Sequence, residues 1–149
     1  MAYEFVDPET LTAKERETGA VFAPKFDLNG LILAVTSEGQ TNEVLMVAYM
    51  NQEALKLTLE TGFVHYYSRS RAKLWKKGET SGETQKLLQM RVDCDQDALV
   101  LTVEQTGRGA ACHTGHKSCF FRKLETDGDN VRLINDQGPA LFDPATVYK

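Results

Sequence analysis

Between residues 88 and 103 the chain first alternates and then turns apolar, and no other stretch constrains the fold as much. Leu88, Met90, Val92 and Cys94 alternate with Gln89, Arg91, Asp93 and Asp95, the period-two pattern of a strand with one apolar face. Residues 98–103 are a second apolar run of strand length. One strand therefore enters the acidic corner Asp93-Cys94-Asp95-Gln96-Asp97 and another leaves it. If the corner itself is extended, Asp93, Asp95 and Asp97 project from one face and Cys94 from the other, which allows two sites back to back.

The remaining segments extend this sheet. Residues 31–35 and 44–49 are apolar runs separated by the turn chemistry of Ser37-Glu38-Gly39-Gln40-Thr41-Asn42, which predicts a hairpin. Asn51 is placed to cap a short helix with Ala54, Leu55, Thr58 and Leu59 on one face and Gly62 at a left-handed C-terminal cap. Residues 63–68 are aromatic strand material, followed by a basic stretch to Lys77 and a flexible loop at residues 78–82. Residues 120–124 and 131–134 flank a turn at Asp127-Gly128-Asp129-Asn130, a second hairpin. Residues 1–25 read as a peripheral N-terminal arm in which Asp7-Pro8-Glu9 starts a short helix. Residues 125–149 read as the end of the hairpin and a surface tail. The expected class is α+β: a single domain of mostly antiparallel β-sheet with one or two short helices.

With 149 residues, 42% of them hydrophobic, the chain can bury one sizeable core. Its formal net charge of -4 counts against nucleic-acid or membrane-surface binding, because either favours a surplus of Lys and Arg. The first seven residues lack the basic start and apolar run of a leader, so a cytoplasmic location is expected. Three cysteines cannot all pair within one chain, and a reducing compartment keeps them as thiols.

Three constellations carry chemistry. Asp93, Asp95 and Asp97 repel one another at this spacing, and a hard divalent cation such as Mg²⁺ is the usual remedy. An EF-hand loop is excluded, since Ala98 stands where glycine is required and Leu99, Val100 and Leu101 where polar ligands belong. Cys112 and Cys119 enclose a loop containing His113 and His116, with Cys94 upstream. Thiolate and imidazole suit zinc: three thiolates leave a fourth position for water, whereas a histidine ligand would close a structural site, and the spacing leaves both open. Ser68, Arg69, Ser70, Arg71, Trp75, Lys77, Thr80 and Ser81 combine guanidinium forks, an ammonium, hydroxyls and an aromatic ring, an inventory for a small phosphorylated nucleotide.

Several long motifs in order, His65-Tyr66-Tyr67-Ser68-Arg69-Ser70-Arg71, Leu74-Trp75-Lys76-Lys77-Gly78-Glu79-Thr80-Ser81-Gly82, Val92-Asp93-Cys94-Asp95-Gln96-Asp97-Ala98-Leu99, Cys112-His113-Thr114-Gly115 and Ser118-Cys119-Phe120, resemble the phosphoribosyl-AMP cyclohydrolases of histidine biosynthesis. The resemblance covers residues 26–124, the expected catalytic core. It implies a homodimeric hydrolase that opens the adenine ring of 1-(5-phosphoribosyl)-AMP between N1 and C6, using Zn²⁺ and Mg²⁺ at the subunit interface. Cys94, Cys112 and Cys119 would bind zinc, with Cys94 supplied across the interface, and Asp93, Asp95 and Asp97 would bind magnesium. The pyrophosphohydrolase domain fused to many relatives does not fit into the residues that follow 123. His113, beside a zinc ligand, is the candidate for proton transfer. A non-catalytic zinc module binding RNA and a zinc deaminase are the rival readings, the first disfavoured by the acidic charge and the second by the missing deaminase signature.

Overall fold

The structure, a computed structural model, describes residues 3–148. The N-terminal arm has a 3-10 turn at Pro8–Thr10 and then helix α1 (Ala13–Thr18), which Thr12 and Glu15 open as a reciprocal capping box. The helix expected at Asp7-Pro8-Glu9 is thus only that 3-10 turn, capped by Asp7. Strands β1 (Ile32–Glu38) and β2 (Val44–Met50) form the expected hairpin. Helix α2 (Gln52–Thr61) starts where Asn51 Oδ1 accepts from Ala54 N at 2.8 Å and stops at Gly62, φ +77°. Strands β3 (His65–Ser68), β4 (Lys73–Lys76), β5 (Gln85–Val92) and β6 (Ala98–Gln105) complete a six-stranded sheet in the order β4-β3-β2-β1-β6-β5. Its pairings are antiparallel except β1 with β6, which run parallel. A separate hairpin of β7 (Arg122–Asp127) and β8 (Asn130–Asn135) follows, and the chain ends with α3 (Pro144–Val147). The class is α+β with a mostly antiparallel sheet.

One face of the sheet makes the core. Ile32 and Ala34 of β1, Leu99, Leu101 and Val103 of β6, and Met46 and Met50 of β2 are buried with Ala54 and Leu55 of α2. Tyr66 and Gln85 are also fully buried, and their polar atoms are served internally: the Tyr66 hydroxyl donates to Gln85 Oε1 at 2.7 Å and lies 2.7 Å from Thr36 Oγ1. The other face is open. Val35 is flanked by Val47 and Val100, which are 41% and 43% exposed, so an apolar row crosses β2, β1 and β6 in contact with solvent.

Three departures from expectation have local causes. There are three α-helices among the described residues rather than one or two, because α1 and α3 are too short for hydrophobic periodicity to register. Residues 73–76, read as part of a basic stretch, are a strand because Leu74 and Trp75 pair with Tyr67 and Tyr66. Leu88 does not face the core: a bulge between Leu87 and Gln89 throws it out of phase and leaves it 55% exposed, whereas Val92, paired with the buried Leu99, keeps the core side but is 39% exposed at the sheet edge. That strand is an edge, where bulges are tolerated.

The two ends of α2 give a stability test by urea denaturation. Asn51→Ala removes the cap and should cost about 1 kcal/mol. Gly62→Ala meets nothing within 4 Å, so its loss, also about 1 kcal/mol, should come from the left-handed backbone alone.

Candidate active site

The loop from Cys112 to Cys119 is held at several points. Cys112 N donates to His116 O and Gly115 N to Cys112 O, folding the loop on itself, while Cys119 N donates to Leu45 O and Ser118 Oγ to Val44 O, tying it to β2. Lys117 bridges to Glu38 and Glu43 at the β1–β2 turn. Cys112 and Cys119 are close enough to affect each other electrostatically, and the Thr114 hydroxyl donates to Cys112 Sγ at 3.0 Å. Burial pushes the Cys119 thiol up to about 12, helped by the charge of Cys112 and opposed by the Lys77 ammonium. Two thiols brought together in one loop are a soft donor set, and zinc suits it.

Lys77 lies beneath this pair. It is buried, and its Nζ donates to Ala111 O at 2.5 Å, immediately before the first thiol. Burial lowers its pKa, while Cys119, Cys112 and Glu83 act in the opposite direction. Glu83 secures the same loop from the other side. Its carboxylate accepts from Arg108 Nε at 2.7 Å, Gly109 N at 3.1 Å and Ala110 N at 3.3 Å. Gly107, φ +70°, passes so close that a Cβ there would stand 2.6 Å from Glu83 Oε2. Desolvation works to raise the Glu83 pKa, but these hydrogen bonds prevail and hold it below its ordinary value.

Two adjoining clefts open over the sheet. The first, about 520 Å³, is lined by Arg71, Trp75, Lys77, Thr80, Ser81, His113 and Cys119 among others. The second, about 580 Å³, is lined by Tyr67, Ser68, Arg69, Ser70, Arg71 and Trp75. All eight residues expected to grip substrate therefore lie on the clefts, although the Lys77 ammonium turns inward. His113 is exposed in the first cleft. His116 is instead engaged, its Nδ1 2.9 Å from Thr114 Oγ1 and its ring stacked 3.7 Å from Phe121.

The acidic corner is elsewhere. Asp93, Asp95 and Asp97 offer oxygens within 4.8 Å of one another, all exposed, the one such group of potential metal ligands among the described residues. Hydrogen bonding with Asp95 pushes Asp97 up to about 6, with desolvation and Asp93 adding to it, so the cluster without a cation holds a proton to a higher pH than an isolated carboxylate would. Hard oxygens that close together fit a divalent cation. The corner is a turn and not the extended segment expected: Gln96 has φ +59°, and Asp93 Oδ1 accepts from Asp97 N and Ala98 N. Cys94 is consequently exposed rather than on an apolar face, and it lines a separate groove with Arg16 and Val92.

Sequence reasoning missed Glu83, whose burial nothing in a polar loop announces, and the tail. Leu141 N donates to Gly115 O at 2.7 Å, the Arg108 guanidinium lies 3.9 Å from the Phe142 ring centroid, and Tyr148 lines the first cleft. The tail thus packs on the thiol loop instead of trailing at the surface.

Cations, hydroxyls, an imidazole and a thiol around one cleft define an enzyme site rather than a structural zinc module. The sequence model described as phosphoribosyl-AMP cyclohydrolase matches residues 46–121. The chain is 52% identical over 143 residues to a phosphoribosyl-AMP cyclohydrolase of Rhodopseudomonas palustris strain BisA53, covering 95% of this chain and 97% of the relative. It is 56% identical over 133 residues to the protein of that name from Agrobacterium fabrum, covering 89% and 88%. The chain belongs to the phosphoribosyl-AMP cyclohydrolase family of hydrolases. No helix among the described residues is long and apolar enough to cross a membrane.

Glu83→Gln should lower stability by about 2 kcal/mol at neutral pH by weakening the bonds to Arg108, Gly109 and Ala110. The folded-state pKa is depressed, so the wild-type advantage is full above the ordinary value of 4.5 and is lost as pH falls through the folded value. Denaturation curves for both proteins should converge at low pH. A constant gap would assign the loss to packing.

Proposed function

We propose that this chain hydrolyses the N1–C6 bond of 1-(5-phosphoribosyl)-AMP, giving the formimino-AICAR phosphoribosyl intermediate of histidine biosynthesis in the cytoplasm. The carrying observation is that residues from three separated motifs, around Ser68, Trp75 and His113, meet on two clefts that share Arg71 and Trp75. Each cleft is large enough for part of a nucleotide carrying two phosphoribosyl ends. Arg69, Ser68 and Ser70 grip one phosphate and Thr80 and Ser81 the other, while Trp75 lies against the purine. The core of residues 26–124 carries the chemistry, with the arm and the hairpin-tail segment supporting it.

Cys112, Cys119 and Cys94 from a second copy of the chain hold zinc. Zinc bound there supplies a Lewis acid that brings the pKa of a water toward neutrality. His113 takes a proton from the water oxygen that attacks C6, and as the C6–N1 bond breaks it returns a proton to N1. Asp93, Asp95 and Asp97 hold Mg²⁺, whose charge offsets that of the phosphate oxygens.

Two observations support a homodimer. Within one chain the Cys112–Cys119 pair adjoins Leu45, which lies near the Thr36–Ser37 end of β1, whereas Cys94 precedes Ala98, which pairs with Leu33 at the other end. A second copy is needed to unite them. The exposed row of Val47, Val35 and Val100 offers that copy an apolar surface. Because Asp93 and Asp95 flank Cys94, the copy that donates the thiol also brings its carboxylates toward that site.

Ultraviolet absorbance should report turnover of 1-(5-phosphoribosyl)-AMP that stops on chelation and returns with Zn²⁺ and Mg²⁺. Absence of turnover by folded, zinc-loaded protein would sink the assignment. Sharing of the site makes a second prediction. Cys94→Ser and Cys112→Ser proteins, each inactive, should regain roughly a quarter of wild-type activity when unfolded and refolded together, since half the dimers are then mixed and each has one complete site of two. A mixture as inactive as its parents would rule out the shared ligand.

A further inference from the structure

Gln96 is the member of the acidic corner that turns inward. It is 4% exposed, whereas Asp93, Cys94, Asp95 and Asp97 around it are all exposed. Its backbone lies at φ +59°, the left-handed region that favours glycine over a residue with a side chain. The side chain that this conformation directs inward places both polar atoms on the N-terminal arm. Oε1 accepts from Ala23 N at 2.7 Å, and Nε2 donates to Arg16 O at 2.8 Å and Val21 O at 3.1 Å. The Gln96 carbonyl accepts from Lys25 N at 2.8 Å, and its amide donates to Asp93 O at 3.1 Å. One residue thus joins the C-terminal part of α1, the irregular segment after it and the turn that carries three carboxylates.

The arm is anchored independently of this contact. Ala23 is fully buried, Phe22 and Phe5 pack partly buried against the core, and their rings meet edge to face at 5.5 Å. The corner therefore rests on a fixed base. That matters because its three carboxylates repel one another, and an unsupported turn would relax by spreading them apart. A turn already held at the right spacing loses less conformational freedom on taking up a cation.

We infer that Gln96 is a positioning residue for the divalent-cation site, a buried staple through which the N-terminal arm holds Asp93, Asp95 and Asp97 at ligand spacing. The inference rests on the proposal that those aspartates bind Mg²⁺. It gives the arm a function in the reaction without contact with substrate.

The test uses zinc-loaded, full-length protein with Mn²⁺ as the probe, free Mn²⁺ being read by electron paramagnetic resonance. Two variants remove the staple by different routes. Gln96→Gly relieves the backbone strain and deletes the side chain, and Gln96→Met retains length and apolar bulk but neither donates nor accepts comparably. Both should bind Mn²⁺ about tenfold more weakly, and the Mg²⁺ concentration for half-maximal turnover should rise to match. Zinc content and kcat at saturating Mg²⁺ should stay near wild type. Mn²⁺ affinity unchanged in either folded variant would overturn the staple, even if its melting temperature falls, because a purely structural role moves stability alone. Asp95→Asn separates this failure from that of the underlying reading: wild-type Mn²⁺ binding that survives Asp95→Asn would remove the aspartate site and the staple together.

Discussion

The parallel pairing of β1 with β6 governs the placement of everything functional. Two parallel strands cannot be joined by a tight turn, so the chain must make a long crossover between them. That crossover contains α2, β3, β4 and β5, and with them the basic and hydroxyl-bearing residues of the clefts. Parallel direction also means that the corner entering β6 lies beside the start of β1, while the β1–β2 turn lies at its far end. Cys94 and the pair Cys112 and Cys119 are thereby kept apart within one chain. An antiparallel arrangement of the same strands would bring the corner to the opposite end of β1.

The thiol loop is stabilised by buried charges of opposite sign. Glu83 accepts from the backbone of residues 109 and 110, and Lys77 donates to the carbonyl of residue 111, so three successive residues ahead of Cys112 are fixed from two sides. Each charge would be costly where it is without a partner. Glu83 has Arg108, and Lys77 has the Ala111 carbonyl and the field of the neighbouring thiols. Lys77 also reduces the repulsion that two thiolates would experience, so the same ammonium serves the loop and its chemistry. The buried chain from Thr36 through Tyr66, Gln85 and Gln105 to the Glu83 carbonyl connects this arrangement to the core.

What could be read from the sequence follows the range of the forces involved. Local signals were legible: the cap at Asn51 and the left-handed stop at Gly62 bounded α2, and turn chemistry located both hairpins. The cleft residues were legible through their chemical types and motif order. Contacts between distant segments were not. Leu88 obeys the alternation of a buried face, yet a bulge turns it outward, and Val92 keeps the alternation but is left exposed by its edge position. Glu83 has the composition of a loop residue, and only its meeting with residues 108–110 makes it buried. Arg108 and Phe142 carry no mutual signal, so the docking of the tail was hidden as well.

The acidic corner illustrates why an expectation of local geometry failed while the expectation of a metal site persisted. A strand has two faces, so an extended Asp93-Cys94-Asp95-Gln96-Asp97 could serve at most two partners, with Gln96 beside Cys94 and opposed to the carboxylates. The proposed site asks for three directions: carboxylates toward a cation, Cys94 toward a second copy, and Gln96 toward the arm. A turn with one left-handed residue separates the last from the others, which is what φ +59° at Gln96 accomplishes. The alternation of hard and soft donors in sequence then has a physical use. Carboxylates and thiol leave the same short turn in different directions, so the arm can steady the carboxylates through Gln96 while Cys94 stays free to face a second copy.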